Sequence, residues 1–192
     1  MKENNTLEKL VEKIRKCREC KSLPLWPRPI LSVSKTSKIL IVGQAPGIYV
    51  HTSWIPWDDP SGERLGEWLQ MDKKTFYDNS KVGIMPLGLC YPGTGKTWDL
   101  PPRKECAPLW HQKVLDEMEN IEVVILIGWY AQKYYLWKQV EKNLTLTVQN
   151  YKKYLPKFFV LPHPSPRNNI WMKKINGLKK KFFQNCKALW RL

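Results

Sequence analysis

The sequence has 192 residues, 43% of them hydrophobic, ten tryptophans and a formal net charge of +15 at pH 7. This composition excludes an intrinsically disordered chain and predicts one folded domain over 1–192, in which 1–35 form an N-terminal helix and a Pro-rich connector. No apolar run approaches the roughly 20 residues of a membrane span and the charged N-terminus lacks a secretory core, so we expect a cytoplasmic protein. The positive charge predicts a polyanionic partner, most simply nucleic acid, although a Lys-rich proteome would also produce it.

The first third of the chain predicts a helix, a connector, a strand and a second helix. Apolar residues at helical spacing predict a helix over 6–16, and the Pro-rich connector follows at 24–29. The continuous apolar run 38–42 is typical of a strand buried on both faces of a parallel sheet. A long loop with Gly, Pro and Asp extends to about Ser61, and a short helix is predicted over 62–70.

The middle of the chain repeats the alternation of strand and helix. A second strand is predicted over 82–87, followed by an irregular loop over 91–102. A helix is expected over 104–119, and the run 122–127 is the clearest strand of the sequence. Another helix is predicted over 129–139. Such alternation requires crossover connections between parallel strands.

The last predicted strand, 158–161, leads into a Pro-rich turn, and a helix with a basic face is predicted from residue 173. The complete pattern predicts an α/β fold, a three-layer α/β/α sandwich around a four-stranded, mostly parallel sheet.

Two segments dense in Gly, Pro and polar side chains follow the first and last predicted strands. They are GQAPG at 43–47 and HPSPRNN at 163–169. In open parallel sheets, ligands bind beyond the carboxyl ends of the strands. The two segments are therefore predicted to meet there and to form one functional site.

These motifs, the IPWDDPSGERL segment at 55–65 and the cysteine spacing resemble the uracil-DNA glycosylase superfamily over about residues 10–190. The resemblance implies a DNA glycosylase that flips uracil or another deaminated base out of the stack. It would then hydrolyse the N-glycosidic bond in base excision repair. The implied partner is DNA containing a damaged base, with the protein acting as a monomer.

Two side chains are expected to carry this chemistry. The resemblance implies that the carbonyl of Gln44 orients the attacking water, although an amide cannot act as a carboxylate base. His163 matches the family histidine that donates a hydrogen bond to the base carbonyl, where negative charge develops. The structural alternatives are that Gln44 only braces its turn and that His163 only bonds to backbone.

Other residues are expected to hold the base and the DNA. Trp57 occupies the position of an aromatic that stacks on the flipped base, with a core tryptophan as the alternative. Asp58 or Asp59 is a candidate for a general base, although such residues more often cap a helix. The remaining expected contacts are with the substrate for Gly43, Ala45, Pro46, Gly47 and Asp58, and with DNA for Ser165, Arg167 and Asn168.

Four of the five cysteines have a spacing that suggests a metal centre. Cys17 and Cys20 form a CxxC pair, and Cys90 and Cys106 are widely separated. This arrangement resembles the [4Fe–4S] branch of the superfamily, in which four thiolates would hold a structural cluster. Zinc and four reduced thiols are the alternatives. Cys186 lies outside the pattern and is predicted to be a core residue of the last helix.

Two positions depart from the iron–sulfur branch. Gln44 stands where that branch usually has Glu, and Pro86 stands where it has an Asn that reads the uracil edge. Proline has no side-chain or backbone hydrogen-bond donor, so we expect weak selection of uracil. A catalytically silent DNA-binding protein with the same fold is the alternative function. A nucleotide-binding regulator is disfavoured because neither GxGxxG nor GxxxxGK[ST] occurs.

Overall fold

Four parallel strands form a single sheet at the centre of the protein. The structure is a computed structural model that describes residues 6–165 and residue 168. The sheet order is β2-β1-β3-β4, and each neighbouring pair is parallel. The strands are β1 Ile39–Val42, β2 Val82–Ile84, β3 Val123–Ile127 and β4 Phe158–Leu161. The predicted four-stranded parallel α/β fold is confirmed.

The strands are short apolar runs because both faces of the sheet are covered. Every side chain of β1, β2 and β3 is buried, and in β4 only Phe158 is partly exposed. Burying one such aliphatic side chain contributes roughly 1.5–3 kcal/mol to stability. β2 is shorter than the predicted 82–87, and the nearby Pro86 has no N–H with which to continue a ladder.

Helices connect the strands. Among the described residues they are α1 Thr6–Arg15, α2 Ile48–Ser53, α3 Pro60–Leu69, α4 Lys73–Tyr77, α5 Cys106–Asp116, α6 Gly128–Leu136 and α7 Leu144–Gln149. Two 3₁₀ turns cover Trp137–Gln139 and Tyr151–Tyr154. The expectation of an uninterrupted loop to about Ser61 was wrong, because α2 forms directly after the first motif. None of these helices is both long and apolar enough to cross a membrane.

The strand register brings the two motifs to one edge of the sheet. Val42 of β1 is level with Leu126 of β3, and Leu126 is level with Val160 of β4. The first motif begins one residue beyond Val42, and His163 lies three residues beyond Val160. Both motifs therefore emerge at the carboxyl edge. The basic helix predicted from residue 173 lies outside the described residues, as do Arg167 and Cys186.

Candidate active site

A cavity of about 150 Å³ opens at the carboxyl edge of the sheet. It is lined by the first motif, by the end of the IPWDD segment, by the 91–102 loop and by the last motif. Its wall includes the expected residues Gly43, Gln44, Ala45, Pro46, Gly47, Trp57, Asp59 and His163, together with Pro86 and Asp99. The structure thus brings together the residues of two motifs more than a hundred positions apart in the chain.

Trp57 forms one wall of the cavity and is held in an unusual backbone conformation. Its φ of 60° is in the left-handed region, which bulky residues rarely adopt. Tyr77 donates a hydrogen bond from its hydroxyl to the Trp57 carbonyl at 3.2 Å, and the Asp59 N–H donates to the same oxygen at 2.9 Å. A Cβ on Gly62 would lie 1.8 Å from that oxygen, so Gly62 must be glycine. The backbone around Trp57 is therefore fixed from several sides.

His163 lies beside the Trp57 indole, with ring centroids 5.6 Å apart and planes inclined by 33°. Loss of solvent in the cavity lowers the pKa of His163, and the nearby carboxylates of Asp59 and Asp99 oppose this effect. The net direction is downward, so the imidazole is neutral at pH 7 and one ring nitrogen carries a hydrogen. Asn168 donates from its side-chain amide to the His163 carbonyl at 2.7 Å, which closes the turn beneath the ring.

The side chain of Gln44 is oriented by a hydrogen bond to the 91–102 loop. Its Nε2 donates a hydrogen bond to the Leu100 carbonyl at 2.9 Å. Since a carbonyl can only accept, the amide end of Gln44 is committed to Leu100 and its Oε1 is left as an acceptor. The Gln44 backbone is also held, because Gly88 donates its N–H to the Gln44 carbonyl at 2.9 Å. The side chain therefore has the acceptor that orienting a water requires.

The three aspartates near the cavity, Asp58, Asp59 and Asp99, occupy different positions relative to it. Asp59 accepts the Gly62 N–H at 2.8 Å and caps α3, as one of the expected alternatives requires, and it also lines the cavity. Asp58 does not line it and instead faces a separate cavity of about 420 Å³ beside α3 and α4. Asp99, which the sequence analysis missed, lines the cavity at the carboxyl edge of the sheet and accepts a hydrogen bond from Thr94 Oγ1 at 2.9 Å.

The Uracil DNA glycosylase superfamily model matches residues 32–189 of the chain. The chain belongs to this superfamily. A similar solved structure is the solution NMR structure of a Methanosarcina acetivorans protein provisionally assigned as a uracil DNA glycosylase. The two chains are 12% identical, with a TM-score of 0.50, and the match covers 84% of this chain and 98% of the other. At that identity the similarity shows the fold alone.

In this superfamily member, the four patterned cysteines converge. Burial and the neighbouring Cys106 raise the pKa of Cys90 to about 12, and burial raises that of Cys106 to about 11, with added effects of Cys17 and Cys20 on both. The Leu89 N–H donates to the Cys106 sulfur at 3.3 Å, and the Arg28 N–H donates to Cys90. All four thiols are free, and no three candidate ligands within 6–165 and 168 are arranged to hold a single metal ion.

Behind the cavity wall, a buried histidine holds the position where the superfamily resemblance led us to expect a base-reading Asn. His111 donates from Nε2 to the Pro86 carbonyl at 3.2 Å and accepts from the Tyr135 hydroxyl at Nδ1, 2.7 Å away. Burial lowers the pKa of His111 to about 4, so it is neutral at pH 7. Pro86 therefore offers the cavity a firmly held apolar ring and no hydrogen-bond donor.

The expected DNA contacts are only partly visible in this superfamily member. Ser165 is partly exposed, and its carbonyl accepts the Asn168 N–H at 3.0 Å. The Asn168 side chain bonds to the His163 carbonyl, so here it supports the turn. Arg167 lies outside the described residues. The roles of Ser165, Arg167 and Asn168 toward DNA stay predictions.

A larger groove of about 1120 Å³ lies between α5 and α6, away from both motifs. Its walls include Tyr130, Tyr134 and Phe158, with Lys133 and Lys157 at its margin. It contains none of the residues expected to contact the base. The superfamily motifs therefore single out the small cavity as the candidate active site.

Proposed function

We propose that this protein is a DNA glycosylase that removes uracil or another deaminated base by hydrolysing its N-glycosidic bond. The observation that carries the proposal is the shared cavity of Gln44, Trp57 and His163 at the carboxyl edge of the sheet. An aromatic face, a neutral imidazole and an acceptor able to orient a water are three groups that this hydrolysis uses. The described cavity has all three.

The base enters the cavity after it leaves the stack and lies against the Trp57 indole. Stacking of a base on an aromatic side chain contributes roughly 1–3 kcal/mol. As the bond to the sugar breaks, negative charge develops on the carbonyl oxygen of the leaving base. The neutral His163 then donates a hydrogen bond to that oxygen, which stabilises the transition state more than the ground state. Because the imidazole is neutral, no cation at His163 competes with the base for the face of the Trp57 indole.

The attacking water is held by Gln44 and deprotonated by Asp99. The Gln44 amide is anchored to Leu100, one residue from Asp99, so the free Gln44 oxygen and the Asp99 carboxylate belong to neighbouring positions of the wall. The Gln44 oxygen accepts one hydrogen of the water, and Asp99 takes the proton as the new bond to the sugar forms. Thr94 holds the carboxylate in place through its hydroxyl.

Selection of uracil is weak in this proposal. Pro86 gives no donor or acceptor to the base edge from its side chain, and its carbonyl is already paired with His111. Discrimination against a base that lacks one hydrogen-bonding group is large only where the site has a polar partner that would be left unpaired. We therefore propose that the enzyme accepts more than one deaminated base.

We also propose that Cys17, Cys20, Cys90 and Cys106 hold a [4Fe–4S] cluster. Burial and the neighbouring patterned thiols raise the pKa of Cys20, Cys90 and Cys106, which means that a bound cation would have to hold them as thiolates, and the N–H···S bonds to Cys90 and Cys106 favour the charged form. A zinc ribbon more typically has a second close CxxC pair, and Cys90 and Cys106 are separated by fifteen residues, which favours the cluster over zinc. Bound there, the cluster would supply a structural tie between the segment after α1 and the start of α5.

A catalytically silent DNA-binding protein is the second candidate function. Two observations favour it: Gln44 cannot act as a carboxylate base, and Pro86 cannot read a base edge. Under this alternative, the same cavity binds an extruded base and releases it unchanged. The two functions share DNA binding and differ in bond cleavage.

The test is alkaline cleavage of oligonucleotides that contain uracil, hypoxanthine or xanthine, each single-stranded and in a duplex. The proposed function predicts strand breaks after alkali at one or more of these bases. DNA binding that falls steeply with salt is expected for both functions, because lysine and arginine displace counterions from phosphates. Salt-sensitive binding with no cleavage at any base would favour the silent alternative.

A further inference from the structure

Several of the exposed aromatic side chains lie in segments that contain or adjoin residues lining the cavity, such as Val50, Pro56 and Asp99. Of the ten large hydrophobic side chains exposed in the described part of the chain, eight lie in three segments, 25–26, 48–55 and 98–100. Their aromatic members are Trp26, Tyr49, Trp54 and Trp98, which are 71%, 70%, 59% and 68% exposed. We call these four side chains the aromatic rim. Contiguous exposed apolar surface of this kind marks an interaction site.

The three segments are joined to one another and to the first motif. Gln44 of the motif donates to the Leu100 carbonyl, which fixes the 98–100 segment beside the cavity. Arg28 donates to the His51 carbonyl at 2.6 Å, which ties the connector to α2. A Cβ placed on Gly93 would lie 3.2 Å from Pro24 Cγ, so the connector also lies against the 91–102 loop. The aromatic rim is thus one surface around the base-binding cavity.

Arginines lie on the faces of two rim tryptophans. The Arg28 guanidinium carbon is 4.0 Å from the centroid of the Trp54 ring, and that of Arg18 is 5.1 Å from the Trp26 ring. Trp54 also has a φ of 67°, a conformation that is costly for a bulky residue. In this conformation Trp54 caps the C-terminus of α2, and its N–H donates to the Val50 carbonyl at 3.0 Å. The cap leaves the indole mostly exposed beside the Arg28 cation.

The chemistry of the rim fits unpaired bases. A strand without a complement offers flat aromatic faces and a negatively charged backbone, which match tryptophan faces and arginine charges. A stacked duplex hides those faces and offers chiefly phosphates to a rim of indoles. The net charge of +15 favours a nucleic acid over an apolar protein surface as the occupant.

We propose that the aromatic rim is a stacking platform for the unpaired bases on either side of the extruded base, so that single-stranded DNA is the preferred form of the substrate. This inference rests on the proposed function for the choice of DNA. It does not require excision, because an undamaged strand would bind the rim by the same contacts. A binding experiment can therefore contradict the aromatic rim without contradicting the proposed excision, and a cleavage experiment can do the reverse.

The experiment measures fluorescence anisotropy with an undamaged labelled oligonucleotide, alone and annealed to its complement, at fixed salt. The wild type should bind the single strand at least about tenfold more tightly than the duplex. Trp54→Ala and Trp98→Ala should each weaken single-strand binding about tenfold and leave duplex binding unchanged. Trp137→Ala is the matched control, since Trp137 is 73% exposed and lines the separate groove between α5 and α6, and it should change neither affinity.

Equal or tighter binding of the duplex would overturn the proposal, as would single-strand binding that is unaffected by both rim substitutions. The latter result would assign the exposed surface to a partner other than nucleic acid. Excision confined to duplex substrates would also overturn the proposal while it upheld the proposed function. Tighter binding of the single strand with no excision of any tested base would uphold the aromatic rim as a binding surface and contradict the proposed function. Unchanged thermal unfolding of the variants establishes that the affinities refer to folded protein.

Discussion

A methyl group placed on Gly43 would lie 2.8 Å from Cζ2 of the Trp57 indole. The first residue of the first motif therefore has to be glycine for the tryptophan to occupy its place in the cavity wall. The indole in turn lies 5.6 Å from the His163 ring. The backbone of one motif thus sets the position of the stacking face relative to the hydrogen-bond donor of the other.

Gly43→Ala should displace the Trp57 ring and lower the single-turnover excision rate by about 10²-fold, the cost of an ångström-scale misplacement. The measurement is the excision rate on the best base found in the oligonucleotide panel. Gly66→Ala is the matched control, because its Cβ would make only an ordinary 3.6 Å contact with the Met71 carbonyl. Equal rates for Gly43→Ala and the control would contradict the role given to this contact.

Asp99→Asn should reduce excision by about 10²- to 10⁴-fold, because the proposed general base is lost while the side-chain shape is kept. The same substitution should lower the pKa of His163 further, since the Asp99 carboxylate raises it. Kinetics and an NMR titration of His163 report the two effects separately. Asp58→Asn serves as the control, since Asp58 does not line the cavity. A normal rate in Asp99→Asn would exclude it as the base.

The sheet could be predicted from the sequence because its strands are continuous apolar runs with covered faces. The runs around β1, β3 and β4 end within one residue of the observed strands. α4 and α7 were missed because each has only five or six residues, too few to show a repeat. Their caps were nevertheless present, since Asp72 and Asn143 each accept the N–H three residues on.

The motif residues of the site could be predicted, and Asp99 could not. Gln44, Trp57 and His163 stand in recognisable segments, whereas Asp99 belongs to an irregular loop with no period. It lies close to Gly47 of the first motif, where a Cβ would be 3.4 Å from Asp99 Oδ2. The two residues are far apart in the chain, and only the folded loop brings them together.

The buried His111 should make stability depend on pH. Its pKa is about 4 in the folded protein and about 6.5 when unfolded, so the unfolded state gains the proton first. The free energy of unfolding should be at its full value above pH 6.5 and fall by about 3 kcal/mol as the pH drops to about 4. Urea unfolding across this range measures the slope. His111→Gln should flatten it, and His51→Gln, the control, should flatten it less; identical slopes for wild type and His111→Gln would refute the assignment.

Protein expressed with iron and purified without oxygen should be brown, with iron bound by the four patterned cysteines. Cys17→Ser, Cys20→Ser, Cys90→Ser and Cys106→Ser should each lose most of the iron and the visible absorbance. Cys186→Ser is the control and should retain both, because Cys186 lies outside the pattern. Colourless protein without iron would contradict the cluster, and stoichiometric zinc in its place would replace it with a zinc site.

The central claim is that His163 stabilises the charge of a leaving base in the cavity of Gln44 and Trp57. The most direct measurement is the single-turnover excision rate of wild type and His163→Ala, with DNA affinity measured on the same samples. We predict a loss of about 10²- to 10³-fold in rate with nearly unchanged affinity, because the donated hydrogen bond matters chiefly in the transition state. An active wild type whose rate survives His163→Ala, or a wild type that binds DNA and cleaves none of the tested bases, would contradict the claim.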